Sequence, residues 1–234
     1  KGKPISSLFK LPKKSGSKND VNKIKTELLF IERCIELLKP GGRMGIVLPE
    51  GVFNNPSLAN VREYVEDRAK LLAVVSLPQE TFYSSGASVK ASLLFLQKYT
   101  DDEQAEFDSI KAATLEEITK KYQPEIEKES AILQAVIDEA KKSNDVERIK
   151  LARKELSEYK KKMLFRIALE SRSLLKERFD YPIFLYEAEK VGITATGELD
   201  ENELYPNERI PKEIDKSALE YYRDFRKDPT PFFV

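Results

Sequence analysis

The chain has 234 residues, 41% of them hydrophobic and 34% charged, and its 40 basic and 40 acidic side chains give a formal net charge of zero. With no histidine and one cysteine, Cys34, the composition excludes an internal disulfide, the usual zinc, haem and iron–sulfur ligand sets, and Ser-His-Asp or Cys-His catalytic sites. No apolar run approaches the roughly 20 residues of a membrane-spanning helix, so we expect a soluble cytoplasmic protein without a metal ion.

Charge and composition divide the chain into four predicted regions. Residues 1–25 hold eight lysines against one acidic residue, Asp20, and form a basic leader without periodicity. Residues 26–100 are balanced in charge, residues 101–180 are dense in charge of both signs, and residues 181–234 form an acidic tail of mixed pattern. The leader is interpreted as a loop, either a solubilising tail or a segment that contacts a phosphate backbone.

Residues 26–100 predict half of an α/β sheet. A helix with one apolar face over 26–38 ends at a Pro-Gly-Gly turn. Two short apolar strands follow at 43–49 and 71–77, and because a second helix joins them we expect them to be parallel. The loop before a third strand, 91–97, is too short for a crossover helix, so the last two strands are expected to be antiparallel neighbours.

Residues 101–180 predict two long charged helices with narrow apolar seams. A Ser-Asn-Asp turn at 143–145 joins them, which predicts an antiparallel helical hairpin. Thr114 and Glu117 have the spacing of a capping box at a helix start, and Pro124 is expected to interrupt the helical pattern.

The tail has weaker signals. Residues 181–185 predict a short edge strand or the start of a helix, and residues 191–211, with two glycines and two prolines, predict a loop. A final helix is predicted over 216–227, before an Asp-Pro pair.

Two loops follow the parallel strands, at the edge where open α/β sheets bind ligands. They are residues 49–55 and residues 78–90. The second loop has the adjacent aromatic residues Phe82 and Tyr83, several hydroxyl groups and a lysine, Lys90, at its end. This combination is typical of stacking on a flat ring beside a phosphate contact. The alternative is that one aromatic ring only plugs the end of the sheet.

A nucleotide-type cofactor needs a glycine-rich turn from a strand into a helix, so that the backbone can approach it closely. None of the nine glycines makes such a turn. The partial match Gly41-Gly42-x-x-Gly45 leaves a helix and enters a strand, which is the wrong order, and we interpret it as a helix stop.

Two blocks of sequence resemble the adenine-specific DNA methyltransferase, or modification, subunit of type I restriction–modification systems. They are TELLFIERCIELLKPGGRMGIVLPEGVFNN at 26–55 and LLAVVSLPQETFYSSGASVKASLLFLQK at 71–98, with a weaker extension at 181–204. The F-x-x-S-G-x-x-V-K loop of the second block is the more specific signal. The resemblance implies an α/β fold: the C-terminal half of a Rossmann-like methyltransferase sheet, followed here by the helical hairpin and a mixed tail.

The resemblance also implies transfer of a methyl group from S-adenosylmethionine to the exocyclic amino group of a flipped-out adenine. The F-x-G-x-G cofactor loop and the N-P-P-F/Y catalytic tetrapeptide of that family do not occur in this sequence. We therefore assign no catalytic, cofactor-binding or metal-binding residue, and interpret the chain as an inactive C-terminal fragment of a longer enzyme. From the chemistry of the loop and the resemblance together, the residues assigned to a target-base and DNA loop are Phe82, Tyr83, Ser85, Gly86, Val89 and Lys90.

Within this loop, Phe82 is expected to line the base pocket and Lys90 to contact a phosphate. The partners that the resemblance implies are DNA and the specificity and restriction subunits of the same system, with no membrane. Two alternatives stay open. The helical hairpin could be an interaction module that docks a specificity subunit, or the enzyme could act on RNA or a small molecule, although the lysine-rich leader favours a polyanion.

Overall fold

The computed structural model describes residues 9–11 and 25–233, so most of the predicted basic leader lies outside the described residues. The chain divides into two compact units. One comprises the residues up to Asp102 together with those from Tyr181 onward, and the other is Glu103–Asp180. The acidic tail thus belongs with the sheet that precedes the hairpin, whereas the sequence pattern treats it as a region of its own.

Helices and strands are mixed up to the hairpin, and the strands after it are short. In chain order they are α1 (Thr26–Leu37), β1 (Arg43–Pro49), α2 (Gly51–Asn54), α3 (Ala59–Glu66), β2 (Ala69–Ser76), β3 (Ala91–Lys98), α4 (Asp101–Lys142), α5 (Val146–Arg178), β4 (Phe184–Glu187), β5 (Val191–Ile193), β6 (Leu199–Asn202) and α6 (Ala218–Lys227). Single 3-10 turns lie at Pro56–Leu58, Tyr83–Ser85 and Thr230–Phe232.

The first four strands form one mixed sheet in the order β1-β3-β2-β4. Strand β3 is antiparallel to both of its neighbours, so β1 and β2 run in the same direction but are separated by β3. The predicted α/β class and the antiparallel pairing of β2 with β3 are confirmed. Strand β4 pairs with β2 in parallel, with Ala73 opposite Phe184, which confirms the edge-strand alternative for the start of the tail.

One face of the sheet packs against α1 and α3. The core between them includes Ile31 and Ile35 of α1 and Leu48 and Leu96 of the sheet, none of them more than 1% exposed. The apolar spacing that predicts α1 therefore places that helix face in the core. The buried carboxylate of Glu32 accepts hydrogen bonds from the backbone N–H groups of Lys10, at 2.5 Å, and Leu11, at 2.8 Å, and so fastens the described part of the leader to α1.

The tail adds an aromatic cluster and a small hairpin to this unit. Phe184 lies 5.4 Å from Phe225 of α6, measured between ring centroids. Helix α6 confirms the predicted final helix and begins with a capping box, in which Ser217 N donates to Glu220 Oε2 at 2.9 Å. The prediction of a loop over 191–211 is wrong in part, because β5 and β6 pair there as an antiparallel hairpin. Gly197, at a φ of +92°, allows its turn.

The second unit confirms the predicted antiparallel helical hairpin. The seam between α4 and α5 buries Ile118 and Tyr122 against Met163 and Ile167. The connecting turn places the N-cap of α5 at its last residue. Asn144 takes a left-handed φ of +54°, so Asp145 becomes the N-cap and accepts a hydrogen bond from Arg148 N at 2.9 Å.

Two predictions inside the first hairpin helix are wrong. Helix α4 runs through Pro124 without a break, since seam residues on both sides of the proline, Tyr122 and Ile126, pack against α5 and offset the lost backbone hydrogen bond. Thr114 and Glu117 start no helix and instead bind Arg178 of α5, at 3.2 Å and 2.7 Å. Within the part of the chain that the structure describes, no helix combines the length and apolar character needed to cross a bilayer.

Candidate functional site

The two loops singled out in the sequence meet at one edge of the sheet. The backbone N–H of Glu50, just after β1, donates to the carbonyl of Lys90, just before β3, at 3.0 Å. Leu77 N, after β2, donates to Ala91 O at 3.1 Å, and Ala188 N, after β4, donates to Ser76 O at 2.9 Å. The ends of all four strands therefore tie the loop of residues 78–90 to a rigid frame.

The loop of residues 78–90, which we call the edge loop, is ordered by its own polar groups. Gln79 Nε2, near the start of the loop, donates to Ser88 O, near its end, at 2.6 Å, and Ser85 Oγ donates to Phe82 O at 2.9 Å. Ser85, through its hydroxyl, and Ser88, through its backbone carbonyl, thus shape the loop. Gly86 has a φ of +84° and closes the 3-10 turn by donating its N–H to Tyr83 O at 2.9 Å. This left-handed conformation explains why a glycine is present in the predicted motif.

The two adjacent aromatic residues lie in different surroundings. Phe82 is half-buried and packs against the apolar cluster of Val75, Leu77 and Ala188 under the loop. Tyr83 is 43% exposed. Phe82 therefore fills the end of the sheet, as the alternative interpretation of the sequence predicts, and Tyr83 is the ring with a face available to a ligand.

Lys90, the predicted phosphate contact, has acidic neighbours. Its Nζ lies 3.4 Å from Glu187 Oε1 at the end of β4 and 3.9 Å from Glu50 Oε2 after β1. These partially exposed ion pairs join three strand ends, and pairs of this kind contribute little to stability. The remaining predicted residue, Val89, is 58% exposed beside Lys90, so the loop presents an apolar side chain as well as the tyrosine ring.

A polar pocket of about 180 Å³ adjoins the base of the edge loop. Its walls come from Glu80 and Thr81 of the loop and from Lys190, Thr194 and Asp200 on and beside the β5–β6 hairpin. Lys190 Nζ and Asp200 Oδ2 lie 3.2 Å apart. Hydrogen bonds from the Glu201 backbone and then from Lys190 lower the pKa of the Asp200 carboxyl, which favours its charged form.

A larger cavity in this unit, of about 520 Å³, has a different character. It is lined by Phe95 on the sheet and by Tyr222 of α6, its walls are mainly apolar, and no residue of the edge loop lines it. Its chemistry suits packing and offers few groups that could orient a polar ligand.

Sequence reasoning missed the two glutamates that hold Lys90. Glu50 lies in the other loop predicted at this edge, so its proximity could have been inferred from the sheet. Glu187 could not, because β4 reaches β2 only after the chain has passed through the whole hairpin. Among the described residues, no group of three acidic or cysteine side chains is arranged to hold a metal ion.

The comparisons with known proteins identify the family of the chain. Residues 11–163, more than half of the chain, match the family described as N-6 DNA Methylase. The chain is 36% identical over 75 residues to the type I restriction enzyme EcoKI methylase subunit of Escherichia coli K12, and equally to the StySJI methylase subunit of Salmonella typhimurium. The match covers 32% of this chain and 14% of each relative, so it spans a small part of their length.

Among solved structures, the EcoKI M protein is 26% identical, with a TM-score of 0.31, over 38% of this chain and 20% of its own. A structure of the assembly and conformational transition of a type I restriction–modification system contains a chain that is 35% identical. Its TM-score is 0.32, and the match covers 42% of this chain and 18% of that one. On the extent of the family match, the chain belongs to the N-6 DNA methylase family.

Proposed function

We propose that this chain is part of an adenine-specific DNA methyltransferase of a type I restriction–modification system, and that its edge loop contacts the flipped target base. The match to the N-6 DNA Methylase family and the names of the curated relatives support the reaction and the system. The single observation that supports the role of the edge loop is the exposed Tyr83, held on a loop that the strand ends fix from both sides.

In this proposal Tyr83 replaces a neighbouring base as the stacking surface. Extruding a base from a duplex costs a few kcal/mol of lost stacking, and contact with an aromatic ring partly offsets that cost. Phe82 has a positioning role, because its ring packs on Leu77 and Ala188 and fixes the backbone from which Tyr83 projects. Val89 extends the apolar contact surface.

Lys90 keeps its proposed contact with a phosphate. A phosphate would compete with Glu50 and Glu187 for its amino group, and the long, partially exposed pairs with these carboxylates are weak enough to be exchanged. A lysine that leaves two carboxylates for a phosphate also releases condensed counterions from the DNA, so the contact should make binding more dependent on salt.

The described residues do not fit S-adenosylmethionine by themselves. Two short connections lead from a strand into a helix. The connection from β1 to α2 has one glycine, Gly51, and the N–H of Glu50 before it already donates to Lys90 O, whereas the connection from β3 to α4, residues 99–100, has no glycine. We therefore expect calorimetry of this chain with S-adenosylmethionine to detect no binding. Affinity in the micromolar range would contradict that expectation.

The experiment that tests the proposed function uses the whole reading frame that contains this chain, expressed with its specificity subunit. Labelled S-adenosylmethionine and plasmid DNA are supplied, and the modified base is identified by mass spectrometry. We expect N6-methyladenine, with turnover reduced about tenfold or more by Tyr83→Ala and unchanged by Tyr205→Ala, a tyrosine 49% exposed elsewhere in the unit. Methylation of cytosine or of RNA would contradict the proposal.

A second candidate function concerns the helical hairpin. It forms a compact unit with its own seam, and yet several large apolar side chains on α5 are exposed, including Leu164 at 66% and Phe165 at 66%. Exposed apolar side chains on a charged helix are typical of a docking surface. We propose that the hairpin is an interaction module for another subunit of the system, with the specificity and restriction subunits as the candidate partners.

A further inference from the structure

The outward face of α5 carries apolar side chains that the hairpin seam does not use. Met163 and Ile167 are buried in the seam, whereas Phe165 and Leu169 are 66% and 56% exposed. At 3.6 residues per turn, Phe165 and Leu169 lie one turn above the other on the side of the helix opposite Met163. The helix therefore has a second apolar stripe that faces away from α4.

Basic side chains flank this stripe. Lys161 and Lys162 precede Phe165 by one turn, and Lys176 follows Leu169 by two turns; all three are exposed. The only acidic residue between Lys161 and Lys176 is Glu170, which turns toward α4 and binds Lys121 and Tyr122. The outward face over these four turns is thus apolar in the centre and positive at its margins.

The two helices of the hairpin differ in charge along their whole length. Helix α4 has twelve acidic and six basic residues, and α5 has eleven basic and five acidic. Some of these opposite charges form ion pairs between the helices, for example Arg178 with Glu117 at 2.7 Å and Arg148 with Glu139 at 3.1 Å. Among the described residues, the side chains of Lys161 and Lys162 join no ion pair with α4, so their charge is directed outward.

We propose that the outward face of α5, centred on Phe165 and Leu169, docks an acidic amphipathic helix of another protein. This inference rests on the second candidate function and gives the partner its chemistry. An apolar stripe with flanking charges is what one helix offers to another, and acidic side chains beside the apolar contact would pair with the lysines at its margins. Leu169 and Phe165 would supply the desolvated centre of the contact.

The same charges disfavour the other occupants. Two copies packed through α5 would bring lysines against lysines, which repels. A second copy that used its acidic α4 would make a head-to-tail contact, which does not close on itself at two subunits. A DNA backbone would pair with the lysines, but it would leave Phe165 and Leu169 without an apolar partner.

The test measures binding of the whole chain to fluorescent synthetic helical peptides by anisotropy. One 21-residue peptide has leucines on one face and glutamates beside them, a second has lysines in place of the glutamates, and a third has the composition of the first without its apolar face. We expect the first peptide to bind, and the other two to bind about tenfold more weakly or not at all.

Four variants locate the binding face. Phe165→Ser with Leu169→Ser, and separately Lys161→Glu with Lys162→Glu, should each weaken binding of the first peptide about tenfold. Leu151→Ser, on an apolar residue 58% exposed elsewhere on α5, and Lys150→Glu should change it less than about twofold. Because the altered side chains are exposed, circular dichroism should show unchanged helix content in all four.

Three results would overturn the proposal. One is equal binding of the acidic and basic peptides. Another is self-association in light scattering that the Phe165→Ser, Leu169→Ser variant abolishes. The last is binding to duplex DNA or to phosphatidylserine vesicles that is stronger than peptide binding and lost in both double variants. None of these measurements uses the cofactor or methyl transfer, so failure here is distinguishable from failure of the methyltransferase proposal.

Discussion

The α/β unit and the helical hairpin of this chain are stabilised by different contacts. The α/β unit has a deep apolar core with side chains such as Ile31 and Leu96 at 0% exposure, and backbone hydrogen bonds join its strand ends. The hairpin has a narrow seam and several exposed ion pairs. A unit of the first kind can hold a loop at a fixed position, whereas a unit of the second kind leaves long helical faces open to other molecules.

The largest expected effect is the loss of a core side chain from the α/β unit. Ile31→Ala should lower the free energy of unfolding by about 4 kcal/mol, because a rigid sheet core cannot close the cavity. Ile167→Ala in the hairpin seam should cost about 2 kcal/mol, because two helices can approach each other to fill part of the space.

Urea unfolding monitored by circular dichroism and by hydrogen exchange of each unit measures both values. Ile132→Ala, at a residue 49% exposed on α4, is the control and should change stability by less than about 0.5 kcal/mol. If Ile167→Ala costs as much as Ile31→Ala, the two units do not differ in the way described.

A buried carboxylate provides the next test. Glu32→Ala should destabilise the α/β unit by about 1–3 kcal/mol, because the backbone N–H groups of Lys10 and Leu11 lose their acceptor. Amide hydrogen exchange at these two residues should accelerate. Glu27→Ala, whose carboxylate forms only a long 3.8 Å pair with Lys25, should leave exchange at both positions unchanged. Equal exchange rates in the two variants would contradict the anchoring role.

A smaller effect is expected from glycines in the loops at the sheet edge. Gly86→Ala should cost about 1–2 kcal/mol, because the φ of +84° is unfavourable for a residue with a Cβ although the added atom meets open space. Gly51→Ala also meets open space but has an ordinary φ, so it should be neutral or slightly stabilising. Thermal unfolding of the two variants separates conformational strain from steric clash, and equal melting temperatures would argue against a strained turn.

The smallest expected effect is a dependence of hairpin stability on pH. Hydrogen bonds from Lys121 and then Tyr122 hold the pKa of the Glu170 carboxyl below its usual value of 4.5. A lowered pKa in the folded state means that this stabilisation is fully present above pH 4.5 and is lost as the pH falls through the folded pKa. Glu170→Gln should therefore reduce the loss of melting temperature between about pH 5 and about pH 3. An unchanged loss would show that the pair contributes nothing.

A feature could be predicted from the sequence where a local pattern defines it, and could not where it depends on a contact with a distant segment. Periodicity predicts α1, the first three strands and the hairpin, because one apolar face or run defines each of them. The pairing of β4 with β2 joins residues on either side of the hairpin, and no local pattern encodes it. For the same reason Glu187 was not predicted beside Lys90. The continuous helix through Pro124 also depends on packing against a distant segment.

At the candidate site, the sequence predicted that residues 78–90 form a loop between two strands, but it could not rank the aromatic residues of that loop. Phe82 and Tyr83 are adjacent, and which ring packs under the loop depends on the position of Ala188, which follows β4. The structure makes Tyr83 the better candidate for base contact, whereas the resemblance alone favours Phe82.

The most direct test of the central claim measures base flipping by the product of the whole reading frame that contains this chain. The target adenine of a duplex is replaced by 2-aminopurine, whose emission is quenched when it stacks on a neighbouring base or on an aromatic side chain, and wild type is compared with the Tyr83→Ala and Tyr205→Ala variants at saturating protein. Because the ring of Tyr83 stacks on the extruded base, we expect weak emission with wild type and Tyr205→Ala and clearly stronger emission with Tyr83→Ala, whose extruded base has no ring to quench it. The same emission with wild type and Tyr83→Ala would contradict the proposed contact.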